Sequence, residues 1–337
     1  MTIGTVISRA TAWALARKPV RAFLRYSGAR GPMLADSVTY RTLFSLFAGV
    51  LLGFSVASIW LAGNPAAWDA LVAAVDSAIP GLVGPDGVLD VADARIQGSV
   101  FAVVISIVGL LGAAIGAIGS LRAAMRQIAG QTTDDTFFVW VLLRNLALAI
   151  GIGAALIAAA VATFLATAGL DLVRGWMGVG EDNGWAGFAA WGVSVVVVLV
   201  LDTVVVAATF AGLSGVKAGP RALWGGALFG GIGLTVLQQL SGLFVGGAAN
   251  NPLLTTFASL IALLLWLNLS SQVILIASSY IVTSVEESDD RVHARYGAAT
   301  LVQYRVRSAE RAVQAAASEL SAARAAEADE RKNAAAV

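Results

Sequence analysis

The side chains with the most chemical capacity in this chain sit in its most apolar stretches. Asp202 lies within Leu199–Ala208, preceded by Val197, Val198, Leu199, Val200 and Leu201 and followed by Thr203, Val204 and Val205. A charged group at the middle of an apolar helix costs at least about 2.5–3.5 kcal/mol on insertion scales, so it turns toward protein or a water-filled cavity. Its functional readings are a proton relay, an ion site or a substrate contact. The structural reading is an ion pair, or a hydrogen-bonded carboxyl that ties two helices together. Gln238 and Gln239, and Asn268 with Gln272, add uncharged amides. For each, helix–helix hydrogen bonding and ligand contact both stand. Asn268 and Gln272 are four apart and share one helix face. Asp36 and Tyr40 have the same spacing, where a polar segment runs straight into an apolar one. Either Tyr40 is an interface anchor, or this polar face lines an inward-opening cleft. Arg144 falls at a depth matching that of Asp202, which makes the two a candidate intramembrane ion pair. Snorkelling of Arg144 to the headgroups is the alternative.

Other chemistry finds little support. The single histidine, His293, lies in a charged tail, and there is no cysteine. No H-E-x-x-H pair, no Gly-rich phosphate loop followed by Lys-Ser/Thr and no G-x-S-x-G turn occurs. The expectation is therefore no catalytic residue, no metal, no cofactor and no nucleic-acid partner; membrane lipids are the expected surroundings.

The elements that must position these residues are long apolar runs. Hydrophobic residues make up 58% and charged residues 13% of the chain, against about 25% charged in an average soluble domain. Six runs, about 42–62, 97–119, 140–168, 187–211, 222–247 and 254–283, are each long enough to cross a bilayer as a helix. All seven prolines fall outside them, where a broken hydrogen-bond ladder costs little. The predicted fold is all-α: a polytopic membrane protein with a six-helix transmembrane bundle and flanking amphipathic and cytoplasmic helices. Residues 1–30 form an amphipathic N-terminal segment, 31–285 the six-span domain and 286–337 a charged, Ala-rich tail.

Charge sets the orientation. Twenty basic residues lie before span one, in the 2–3 and 4–5 connections with the adjoining span starts, and in the tail. The odd-numbered connections hold only Arg95 and Arg174, beside Asp69, Asp76, Asp86, Asp90, Asp93, Asp171, Glu181 and Asp182. Cytoplasmic loops accumulate Lys and Arg, so both termini are expected inside. Residues 3–27 read either as an amphipathic helix on the inner leaflet, interrupted near Pro19, or as a plain solvated helix. The loop 63–96 has room for a short helix near Asn64–Ile79. Two small-residue faces, Gly112/Gly116 and Gly226/Gly230, suit close helix packing. Packing within the chain is the default, and a homo-oligomer contact the alternative.

Three segments resemble the YihY/BrkB family of bacterial inner-membrane proteins, including its YhjD branch. Ala35-Asp36-Ser37-Val38-Thr39-Tyr40 with Leu43-Phe44-Ser45-Leu46-Phe47 is similar to the family's A-A-x-x-Y-x-x-L-F-S-L-F-P opening. Gly219-Pro220-Arg221-Ala222-Leu223-Trp224-Gly225-Gly226-Ala227 resembles the start of its fifth span. Phe257–Gln272 resembles Y-G-S-L-x-x-x-x-x-L-L-W-L-Y-x-S-x-x and is the most specific of the three. Together with the six-span plan, the likeness covers about residues 20–285. Ala48 stands where the family commonly has Pro, and Asn268 where it commonly has Tyr. The resemblance implies a role in envelope integrity at the inner membrane, by export or lipid translocation. An older family label, ribonuclease BN, finds no support in the residue inventory. Two functions stand: a secondary transporter or lipid-translocating protein whose spans one, four, five and six line a cleft, and a non-transporting scaffold for envelope machinery.

Overall fold

In the computed structural model, the described residues are 12–60, 69, 72, 100–131, 140–148, 150–151, 184–249, 255–289 and 300–335. Residues 3–11, nearly all of the loop 63–96, most of span three, the 3–4 connection and His293 lie outside them. Among the described residues every regular element is helical: α1 (Lys18–Gly28), α2 (Gly31–Trp60), α3 (Val100–Ile128), α4 (Gly184–Leu213), α5 (Pro220–Ala249), α6 (Thr255–Asp289) and α7 (Leu301–Ala335). Residues 140–148 are helical as well. Three stretches of the described residues, Val195–Leu213, Pro220–Leu240 and Leu260–Ser288, are long and apolar enough to cross a membrane.

Local sequence places the helix starts. Proline has no backbone N–H to satisfy, so it fits a first helical turn. Pro19 occupies that position in α1, and the chain turns at Ala16 and Arg17 just before it. Pro220 likewise opens α5. Between α1 and α2, Arg30 takes a left-handed φ of 58°. Gly31 follows because the ring of Tyr26 occupies the space a Cβ would need.

α6 is the hub, packing against α1, α2, α3, α4 and α5. Beside it α2 touches α3, α3 touches α4 and α4 touches α5, an arc whose two end helices, α2 and α5, both pack on α6. One cluster, with Tyr26, Ala35, Val38, Leu121, Met125, Leu213 and Leu275, joins α1, α2, α3, α4 and α6. A second, with Val206, Ala207, Ala227, Leu234 and Ala277, joins α4, α5 and α6. The glycines of α5 set the closest approach. A Cβ at Gly226 would strike Ile281; at Gly230 it would lie 2.7 Å from Ala277 Cβ, and at Gly233 2.7 Å from Val273 Cγ1. These positions are four and three apart and form one face, matched in antiparallel register by α6. The Gly226/Gly230 face is thus occupied within the chain. Among the described residues nothing lies within 4 Å of a Cβ at Gly112, and at Gly116 only Arg41 Nη1 does, at 3.8 Å.

The surface pattern suits lipid. Val196, Val200 and Val204 on α4, and Leu228, Ile232 and Val236 on α5, are exposed in rows four residues apart. Many buried side chains are hydroxyls that bond the carbonyl one turn back: Thr203 to Leu199 O at 2.7 Å, Ser278 to Ile274 O at 2.8 Å and Ser279 to Leu275 O at 3.0 Å. This satisfies them without water.

At one end of the bundle α1 lies against α6. Arg21 Nε donates to Glu287 Oε1 at 2.8 Å, and its Nη2 pairs with the same oxygen. Lys18 Nζ lies 3.3 Å from Glu287 Oε2. Arg25 grips Glu286 with both terminal nitrogens, at 2.7 and 2.8 Å, and its Nε donates to Ile128 O at 2.9 Å. α7 is a solvated helix, with an Arg331–Glu327 pair one turn apart at 2.6 Å.

Candidate functional site

Two polar clusters hold the sequence-derived candidates. The first joins α2 to α6. Asn268 Nδ2 donates to Asp36 Oδ1 at 2.7 Å and lies 3.5 Å from Thr39 Oγ1. Gln272 Nε2 donates to Asn268 Oδ1 at 2.6 Å. An ionised carboxylate only accepts, so the Asn268 amide must turn its nitrogen to Asp36 and its oxygen to Gln272. The result is a directional series, Gln272 to Asn268 to Asp36, ending on a negative charge. The i, i+4 spacing on α6 stacks the two amides one turn apart. Asp36 is exposed and Gln272 half-buried, so the series runs inward from a solvent-reachable carboxylate. Thr39 is buried beside it and donates its own hydroxyl to Ala35 O at 2.7 Å. Tyr40 lies apart from this series: it is 63% exposed and meets Phe44 edge-on, with ring centroids 4.8 Å apart.

The second cluster joins α4 to α5. Asp202 is 7% exposed. Thr235 Oγ1 donates to its Oδ2 at 3.2 Å, and Gln238 Nε2 reaches Oδ1 and Oδ2 at 3.3 and 3.2 Å. Thr235 and Gln238 are three apart and face α4 together, whereas the next residue, Gln239, is exposed. Nearby, Gly231 lets the backbone of Thr203 approach, with Thr203 N 3.0 Å from where a Cβ would stand.

The expected Arg144–Asp202 ion pair is replaced by other contacts. Arg144 is exposed and its Nη2 donates to Ala211 O at 3.4 Å. Ala211 lies nine residues beyond Asp202, roughly 13–14 Å along the helix at 1.5 Å per residue. Matching depth in two spans leaves their rotations about the helix axes free, and Asp202 is turned toward α5.

Sequence reasoning passed over Thr39, Thr235, Glu286 and Glu287. The two threonines sit three residues from a named candidate, Asp36 or Gln238, and that helical spacing was the available signal. The two glutamates follow an apolar run directly, opposite a basic helix. Among the described residues no three His, Asp or Glu side chains converge as a metal site requires. The first cluster offers the exposed Asp36 carboxylate to a polar or cationic group, backed by two bonded amides. The second holds two helices together.

A protein family described as Virulence factor BrkB matches residues 22–299. No curated protein and no solved structure matches the chain.

Proposed function

Because the chain belongs to the BrkB family and is a membrane protein, we propose that it moves a polar or amphiphilic solute across the bacterial cytoplasmic membrane as a secondary transporter or lipid-translocating protein. In this reading it crosses six times with both ends inside, serves envelope integrity and uses no cofactor or catalytic step. The observation that carries the reading is the Gln272–Asn268–Asp36 series, which runs from a half-buried amide to an exposed carboxylate between spans one and six. Intramembrane polar groups left facing one another in a line are the usual material of such a path.

A scaffold without transport is the second reading. The Asp202–Thr235–Gln238 cluster favours it, because both carboxylate oxygens are already bonded between adjacent helices. Purified protein in liposomes separates the two. Phospholipid scrambling, read with a headgroup-labelled lipid and an impermeant quencher, and efflux of entrapped organic solutes should exceed those of empty vesicles. Asn268→Leu should reduce the rate while the fold, read by circular dichroism, is kept. Rates equal to protein-free vesicles would leave the scaffold reading standing.

A further inference from the structure

We infer that α1 is a releasable strap across the cytoplasmic ends of α2, α3 and α6, held to α6 by ion pairs and to α3 by hydrogen bonds, and exchangeable onto anionic phospholipid headgroups. Glu286 and Glu287 sit in the last turn of α6, where the negative end of the helix dipole disfavours carboxylates. Lys18, Arg21 and Arg25 of α1 reverse that disadvantage through direct pairs. Arg25 reaches further, donating to Ile128 O at the last residue of α3. Gln127 Nε2 adds a bond to Ala29 O at 3.2 Å. One short helix therefore ties together the ends of three long ones.

The two ends of the strap are held differently. Toward α2, Tyr26 is buried against Gly31 and the apolar cluster, which fixes a pivot. Away from it, the ion pairs hold the helix, with Leu15 and Ala22 as apolar cover. Lys18 is nearly half exposed, so bulk ions and lipid charges compete for it. The same segment presents exposed Trp13 and Phe23, and Arg17 stands 4.8 Å over the Trp13 ring. An aromatic and basic face of this kind seats in an anionic bilayer surface. Lys18 is the most open of the three cations, with Arg21 and Arg25 only 21% and 17% exposed, so an anionic surface draws first on Lys18 and Arg17, and lipid composition shifts the balance from that end of the strap. Any separation of the cytoplasmic ends of α2, α3 and α6 has to undo this strap, whether or not the spans carry a solute.

The test uses the full chain, whose lack of cysteine allows clean labelling. Spin labels at Ala16→Cys and Ser288→Cys, both exposed positions, report the α1–α6 separation by pulsed EPR. In phosphatidylcholine vesicles at low salt a single short distance is expected. Mixing in phosphatidylglycerol, or introducing Glu286→Gln with Glu287→Gln, should add a population longer by about 10 Å, the scale of a helix of 11 residues swinging about one end. A charge-swapped chain, Lys18→Glu, Arg21→Glu and Arg25→Glu with Glu286→Arg and Glu287→Arg, should stay clasped in both lipids, because an acidic strap is repelled by the anionic surface. A distribution unchanged by both the anionic lipid and the Glu→Gln pair overturns the strap. Opening by Glu→Gln without opening by lipid overturns the exchange. Should the Glu→Gln chain fail to fold, the lipid series on the native charges decides alone.

Discussion

Asn268 connects two faces that would otherwise meet as a carboxylate and an amide with no common partner. Its nitrogen serves Asp36 and its oxygen receives Gln272. Leucine at this position removes both bonds, and interhelical hydrogen bonds in membranes are worth about 0.6–2 kcal/mol. Asn268→Leu should therefore lower unfolding stability in detergent by about that amount, with translocation falling further than the loss of folded protein accounts for. Unchanged stability would show that the Asp36 contact carries no energy. Tyr26 tests the opposite case. Its hydroxyl is buried with no hydrogen-bond partner among the described residues, and burial, with the Asp36 carboxylate adding to it, pushes its phenol from 10.0 up to about 12. Because the folded value is raised, the stability contributed by the neutral phenol is full below pH 10 and is lost as pH rises through about 12. Tyr26→Phe removes an orphan hydroxyl whose burial costs about 1–3 kcal/mol, so it should unfold at an equal or higher temperature. It should also lack the extra loss that the parent chain shows between pH 10 and 12, and identical pH profiles would refute this assignment. At this scale the sequence was readable where spacing on one helix decides. Asn268 and Gln272 share a face by arithmetic, while the choice of Asp36 as their acceptor depends on how α2 is rotated against α6.

Among elements, the α5 glycines carry the tightest contacts. Their spacing announced close packing, and the structure supplies the partner, α6, in antiparallel register. Alanine at Gly230 would bring its Cβ 2.7 Å from Ala277 Cβ, a clash that packed cores meet with about 1–3 kcal/mol of strain. Gly112 has none of the described residues within 4 Å, so alanine there should gain up to about 1 kcal/mol of helix propensity. Thermal unfolding of Gly230→Ala and Gly112→Ala should therefore move in opposite directions. Equal shifts would mean that the α5–α6 approach is looser than described. Arg144 and Asp202 mark the limit of such reasoning. Rise per residue fixes how deep a side chain lies, whereas its partner depends on azimuth, and azimuth is set by the packing of Val206, Gly230 and Ala277 along the α4–α5–α6 contact. For the same reason Gln238 meets Asp202 while Gln239, one residue on, is exposed.

For the whole molecule, charge acts at two ranges. Summed over loops, the twenty basic residues against two are the ground for the proposed orientation, and that asymmetry is legible without coordinates. Paired at short range, three of the same cations clasp Glu286 and Glu287. That contact brings together residues more than 260 positions apart, beyond the reach of any local pattern. The two roles are compatible, since the ion pairs put α1 at the end of α6. The topology proposed from that asymmetry puts residues 63–96 outside and α7 inside. Single cysteines at Ala66 and at Ala316, an exposed position on α7, test this in a chain with no native cysteine. An impermeant thiol reagent applied to intact cells should label position 66 and spare position 316 until the membrane is permeabilised. The reverse pattern would invert the protein. Labelling of both in intact cells would require an even number of crossings between them, where six spans give five, and with it a span count other than six.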